Sequence, residues 1–153
     1  MTAAPPVSDV ASMWNHVLLL HARVESRLGT ALQRRHGIGL SEYRALGHLA
    51  AAPRSELRMQ ELADRLGLNQ SSVTRLVARL NTAEFTYRDL CPDDKRGVYT
   101  VITEAGRDRY AEASRTYEET LRAALGEAGQ VDAALAAAVT SLGDSLANSG
   151  TTP

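Results

Sequence analysis

Gln70, Ser71, Ser72, Thr74, Arg75 and Arg79 fall within one short stretch of the chain. Their side chains suit a partner dense in hydrogen-bond acceptors. Ser and Thr hydroxyls can grip phosphate oxygens, Gln can make two-pronged contacts to adenine, and Arg can do the same to guanine. Val73, Leu76, Val77 and Leu80 interleave with them at steps of three and four, so a helix over this stretch separates a polar face from an apolar one. The plain alternative is an amphipathic helix whose polar face is merely solvated. A second cluster, Asp94, Lys95 and Arg96, lies in the turn-forming run from Pro92 to Gly97. Lys95 and Arg96 suit phosphates or a narrow minor groove, and Asp94 belongs beside them if it orients Arg96 or Arg75 through a bidentate pair. The plain alternative here is a solvent-exposed charged turn.

Chemistry of other kinds finds no support. Catalysis needs a nucleophile with its base, paired carboxylates in a cleft, or a glycine-rich phosphate loop, and none of these patterns is present. Asp93 and Asp94 sit at a turn tip beside two cations, which gives a metal no enclosed shell. His16 and His21 are five apart and point in different directions on a helix. Cys91 is the only cysteine, so one chain can build neither a disulfide nor a cysteine-based zinc cluster. Cys91 reads as a small hydrophobe before the turn, with oxidant sensing left open. The expectation is a protein that is not an enzyme and carries no metal and no cofactor.

The elements that must position these residues follow from periodicity. Residues 1–7 hold Pro5 and Pro6 without a pattern and are expected to be disordered, as are residues 149–153. From Val10 through Leu32 apolar residues recur at helical steps, predicting a long helix over residues 8–36. Ser41 is the expected N-cap of a second helix, which ends before Pro53. QELADRLG and the stretch QSSVTRLVARLNTA capped by Asn69 then give helix, tight turn and helix, the layout of a helix-turn-helix. Phe85 to Tyr87 and Val98 to Ile102 are β-formers flanking the charged turn, which predicts a hairpin. Thr103 caps another long helix, and after a break at Gly126 to Gln130 a last apolar stripe runs from Val131 to Leu146. The predicted fold is mostly α with a minor β component. It consists of a winged helix-turn-helix lobe over residues 41–102 and a dimerisation region built from residues 8–36 and 103–148.

ELADRLGLNQSSVTRLVARL followed by DDKRGVYTVITEAGR resembles the signature of the MarR family of transcriptional regulators. The likeness is sharp over residues 58–107, and elsewhere only the helical layout agrees. It implies a dimer joined through its first and last helices, with the recognition helix Gln70 to Ala83 and the wing tip Asp94 to Arg96 on DNA. It also implies a small aromatic or acidic effector that releases DNA. Trp14, His16, Arg23 and Tyr43 could line a pocket for such an effector, with core packing as the alternative for Trp14 and Tyr43. One departure stands out. Glu84 occupies the place where the family has Gly, and Gly ends a helix there by taking positive φ. A non-Gly residue in that geometry costs on the order of 1 kcal/mol. Either the helix is capped at that cost, or it continues and leaves differently.

Bulk composition fits this reading without deciding it. The 153 residues are 44% hydrophobic but only 5% aromatic, which favours packed helices over a β-sandwich. Net charge is -1, and residues 97–153 carry eight acids against four bases, so the acid concentrates in the C-terminal helices. No run of about 18 apolar residues and no secretory leader pattern occurs, so a soluble, cytoplasmic protein without membrane contact is expected. The apolar stripes of the first and last helices exceed what so small a core can cover, which points to self-association. A two-fold dimer would read a pseudo-palindromic operator in double-stranded DNA with half-sites one helical turn, about 10 base pairs, apart. The expected function is a sequence-specific regulator, a repressor released by a ligand. The alternative is a helical dimeric interaction module without specific DNA binding.

Overall fold

The computed structural model of the chain describes residues 6, 8–90, 98–131 and 137. Its elements in order are α1 (Asp9–His36), α2 (Leu40–Ala51), β1 (Glu56–Arg58), α3 (Met59–Leu66), α4 (Gln70–Thr82), β2 (Thr86–Leu90), β3 (Val98–Ile102) and α5 (Glu104–Val131). A single 3-10 turn, Pro53–Ser55, joins α2 to β1. Two compact units are distinguished, residues 29–118 and the two chain ends 1–28 with 119–153.

Within residues 29–118 the core is assembled from helical stripes. Val73, Leu76, Val77 and Leu80 of α4 are all buried, as the three- and four-residue spacing requires. They meet Leu46 and Leu49 of α2, Leu62 and Ala63 of α3, Leu57 of β1 and Ile102 of β3. Burying a side chain of this size contributes about 1.5–3 kcal/mol, so the stripe fixes which way α4 faces. A second cluster gathers Leu32, Ile38, Tyr43 and Ala113, with Phe85, Tyr110 and Tyr117 packed against it.

The sheet is antiparallel, in the order β1-β3-β2. Thr100 of the central strand faces Leu57 on one side and Arg88 on the other. β1 is thus a third strand of the sheet, and it ties the base of the hairpin to the helix-turn-helix. Thr86 at the start of β2 is buried, and its hydroxyl donates to Asn81 Oδ1 at 2.6 Å. That bond satisfies a polar group the core would otherwise strand.

Two sequence expectations need correction. The N-cap of α2 is Gly39, not Ser41, which lies inside the first turn. Glu42 reaches back to accept from the Gly39 amide at 3.1 Å, so a carboxylate replaces the hydroxyl in satisfying that end. Helix α5 also passes through Gly126 without the expected break and continues to Val131. An isolated Gly costs a helix about 1 kcal/mol relative to Ala, which neighbours such as Ala123, Ala124 and Leu125 offset. The expected last stripe beyond Val131 and the disordered ends lie outside the described residues, apart from Pro6, Ser8 and Ala137. No helix among the described residues is long and apolar enough to cross a membrane.

Candidate nucleic-acid interface

The turn between α3 and α4 is set by local chemistry. Gly67 takes φ 65, its amide donates to the Asp64 carbonyl at 3.3 Å, and the Leu68 amide returns to the Ala63 carbonyl at 3.0 Å. Those two bonds form a Schellman cap, which needs a left-handed residue at its centre. Asn69 then caps α4, its Oδ1 accepting from the Ser72 amide at 2.9 Å and from the Ser71 hydroxyl at 3.0 Å.

The six residues singled out on α4 are not equivalent. Gln70, Ser71, Thr74, Arg75 and Arg79 are exposed and Ser72 is half-buried. The Ser71 hydroxyl proton goes to Asn69, and the Thr74 hydroxyl donates to the Gln70 carbonyl at 2.7 Å, so both are engaged locally. Arg79 is held through Nε by Glu42 Oε1 at 2.9 Å. Of the six, Gln70, Ser72 and Arg75 have no side-chain hydrogen bond among the described residues, and of these Gln70 and Arg75 are exposed. They sit on the first turn and a half of the helix, the part that meets base edges when such a helix enters the major groove.

The far end of α4 repeats the cap of α3 with a different residue. Glu84 takes φ 61, its amide donates to Asn81 and the Phe85 amide to Leu80, each at 3.0 Å. The helix thus ends as a Gly-containing one would, with Glu84 bearing the left-handed conformation. Thr103 locks this exit. Its hydroxyl donates to the Glu84 carbonyl at 2.7 Å and accepts from the Gly106 amide at 3.0 Å, while its own amide donates to the Phe85 carbonyl at 2.9 Å. One side chain therefore caps α5 and fastens it to the end of α4. Arg109, one turn further along α5, lays its guanidinium 5.2 Å from the centre of the Phe85 ring and donates to the His36 carbonyl.

The hairpin stem is as expected, with Leu90 opposite Val98. Asp94, Lys95 and Arg96, together with Cys91, lie outside the described residues.

Residues 36–97, from the end of α1 to the foot of β3, match the family model described as MarR family. Over these residues the chain is similar to the MarR family, and the lobe has the winged helix-turn-helix fold. Solved structures agree with this fold over nearly the whole chain. A regulator from Streptomyces coelicolor, Sco3205, in complex with DNA, has 24% identity and a TM-score of 0.75 over 96% of this chain and 95% of that one. A MarR/EmrR family regulator from Acinetobacter sp. ADP1 has 25% identity and a TM-score of 0.68 over 94% and 97%. BpsR from Bordetella bronchiseptica has 15% identity and a TM-score of 0.71 over 93% and 97%. No curated protein sequence matches the chain. Within this lobe, α3 and α4 are the helix-turn-helix and β2 with β3 the wing.

Of the four residues expected around an effector, Tyr43 lies in the unit of residues 29–118, and Trp14, His16 and Arg23 lie in the other unit. Tyr43 belongs to the core of residues 29–118. Its ring stacks against Tyr110 at 5.0 Å and Tyr117 at 4.7 Å, and its hydroxyl donates to Ser114 Oγ at 3.2 Å. Burial pushes its pKa up to about 12, with the Ser114 hydrogen bond opposing the rise. For Tyr43 the structure gives the core-packing alternative. Trp14, His16 and Arg23 are exposed on α1. Of these, Arg23 lines an open cleft of about 470 Å³ with Ala22, Ser26, Arg27, Ala124 and Glu127, where Arg27 and Glu127 form an ion pair at 2.5 Å. No three His, Cys, Asp or Glu among the described residues are grouped to hold a metal ion.

Glu42 is the residue that sequence reasoning missed. Its only local signal is its place in the first turn of α2, and nothing in the sequence links it to Arg79, 37 positions on.

Proposed function

We propose that the protein is a sequence-specific DNA-binding transcriptional regulator that acts as a homodimer on an inverted-repeat operator. The observation that carries this is the division of α4: one face is held in the core through Val73, Leu76, Val77 and Leu80, and the opposite face presents Gln70 and Arg75 with open donors. A helix held so rigidly from behind can dock into the major groove as a fixed template. Ser71, Ser72 and Thr74 flank those two residues and meet the backbone, and the wing tip Asp94 to Arg96 follows into the adjacent minor groove.

Dimerisation is supported by α1, where Val10, Met13, Trp14, Leu18 and Leu19 are large, apolar and exposed. A contiguous apolar surface of that kind is what a second copy would cover. The regulator works as a repressor, in the cytoplasm where it meets DNA, and a small aromatic or acidic effector releases it. For BpsR, 6-hydroxynicotinic acid regulates DNA binding, and that is the support for an acidic aromatic ligand here.

A gel shift with the DNA upstream of the protein's own gene, run at low and high salt, tests the reading. Binding that prefers this DNA over unrelated duplex and weakens with salt is expected. Binding without preference at low salt would leave a helical interaction module as the better description. Adding a panel of aromatic acids to the same shift tests release.

A further inference from the structure

Glu42 divides its two oxygens between two jobs. Oε2 accepts from the Gly39 amide at 3.1 Å, which fixes the carboxylate to the start of α2, and Oε1 accepts from Arg79 Nε at 2.9 Å. The Glu42 side chain is only 17% exposed, whereas that of Arg79 is 59% exposed. The carboxylate is therefore the immobile partner and the guanidinium the accessible one. Among the described residues Arg79 has no other side-chain partner, so the Nη groups remain free.

An arginine bound through Nε alone still presents its terminal N–H groups as a fork, and a carboxylate behind it holds that fork in one plane. Around it lies a shallow hollow of about 350 Å³ lined by Ala78, Thr82 and Ala83, which places no bulky side chain in the way of an approaching group. Arg79 is one helical turn beyond Arg75, about 6 Å further along the axis and on the same face. When the N-terminal turns of α4 meet base edges, this third turn is displaced toward the strand backbone.

We propose that Glu42 is a positioning residue for DNA recognition: it holds the Arg79 guanidinium as a fixed clamp for one backbone phosphate, which sets the register of α4 in the groove. This rests on the DNA-binding reading above and assigns Arg79 to the backbone, leaving base contacts to Gln70 and Arg75. Phosphate contacts carry no sequence information directly, but they fix orientation, and specificity is lost when orientation is loose.

The sign of one substitution separates this from bulk electrostatics. Glu42→Gln removes a negative charge close to the DNA. If Glu42 only repels phosphate, affinity rises for every duplex. If Glu42 holds Arg79, affinity for unrelated DNA still rises, because Arg79 keeps its charge, while affinity for the specific site falls about tenfold. The probes are a duplex selected from a random pool by the wild-type protein and a shuffled duplex of the same length, titrated by fluorescence anisotropy. Arg79→Lys is the second variant. It preserves charge and lacks the fork, and it is expected to lose specific affinity with shuffled-duplex affinity unchanged, even if Glu42→Gln disturbs the start of α2. Unchanged or tighter specific binding in either folded variant overturns the proposal. A wild-type protein that selects no duplex overturns the DNA-binding reading itself, and this proposal with it.

Discussion

Gly106 lies so close to Phe85 that a Cβ on it would stand 2.2 Å from the Phe85 carbonyl oxygen. The start of α5 and the exit of the recognition helix are thus in backbone contact, and that same carbonyl accepts the Thr103 amide. Gly106→Ala cannot be absorbed by turning a side chain, since the obstacle is main chain. It is expected to cost about 1–3 kcal/mol or more, read as a lower midpoint in chemical denaturation. A midpoint equal to wild type would mean that this junction is looser than the contact implies.

The caps at Gly67 and Glu84 share one hydrogen-bond pattern and differ in the residue that takes positive φ, 65 at Gly67 and 61 at Glu84. Glu84→Gly should relieve left-handed strain and stabilise the fold by about 0.5–1 kcal/mol, while Gly67→Ala should destabilise it by about 1 kcal/mol. Thermal melts of both variants check the pair. Equal shifts of the same sign would contradict the shared cap geometry.

Arg75 has an exposed guanidinium with no partner among the described residues. Arg75→Ala is expected to weaken binding to the selected duplex by about 1–3 kcal/mol and to relax preference at one base position. Competition titrations against single-base variants of the duplex measure this. A uniform loss across all variants would reassign Arg75 to a phosphate.

Tyr43 gives a pH signature. Its pKa is raised by burial from 10.0 to about 12, so the folded state disfavours the phenolate more than the unfolded state does. The stability it contributes is fully present below pH 10 and is lost as pH rises from 10 through about 12. Tyr43→Phe should cost about 1 kcal/mol near neutrality through the lost Ser114 bond, and should flatten the alkaline decline. Urea titrations on either side of pH 10 compare the two proteins, and parallel pH profiles would remove Tyr43 as the source.

Much of the lobe was legible because its signals are short in range. The Val73-to-Leu80 spacing, the Asn69 cap and the Gly67 turn each involve residues within a few positions, so one stretch of sequence fixes helix, face and turn together. Glu84 was legible in the same way: its mismatch with the expected Gly marked a place where a non-glycine residue takes the left-handed conformation at a cost in strain. The choice between a strained cap and a different exit was not local, and Thr103, 19 positions on, settles it by holding the Glu84 carbonyl.

The sequence by itself determined the helices and the hairpin, the apolar side of α4 and the polar residues on its other side, because periodicity and capping act through neighbours along the chain. Local bonds engage Ser71 and Thr74, whereas tertiary structure alone decided the long-range partners. It took Arg79 onto Glu42, drew Tyr43 into a stack with Tyr110 and Tyr117, and set Gly106 against Phe85. These partners lie tens of positions apart, and only the packing of α2, α4 and α5 brings them within bonding distance.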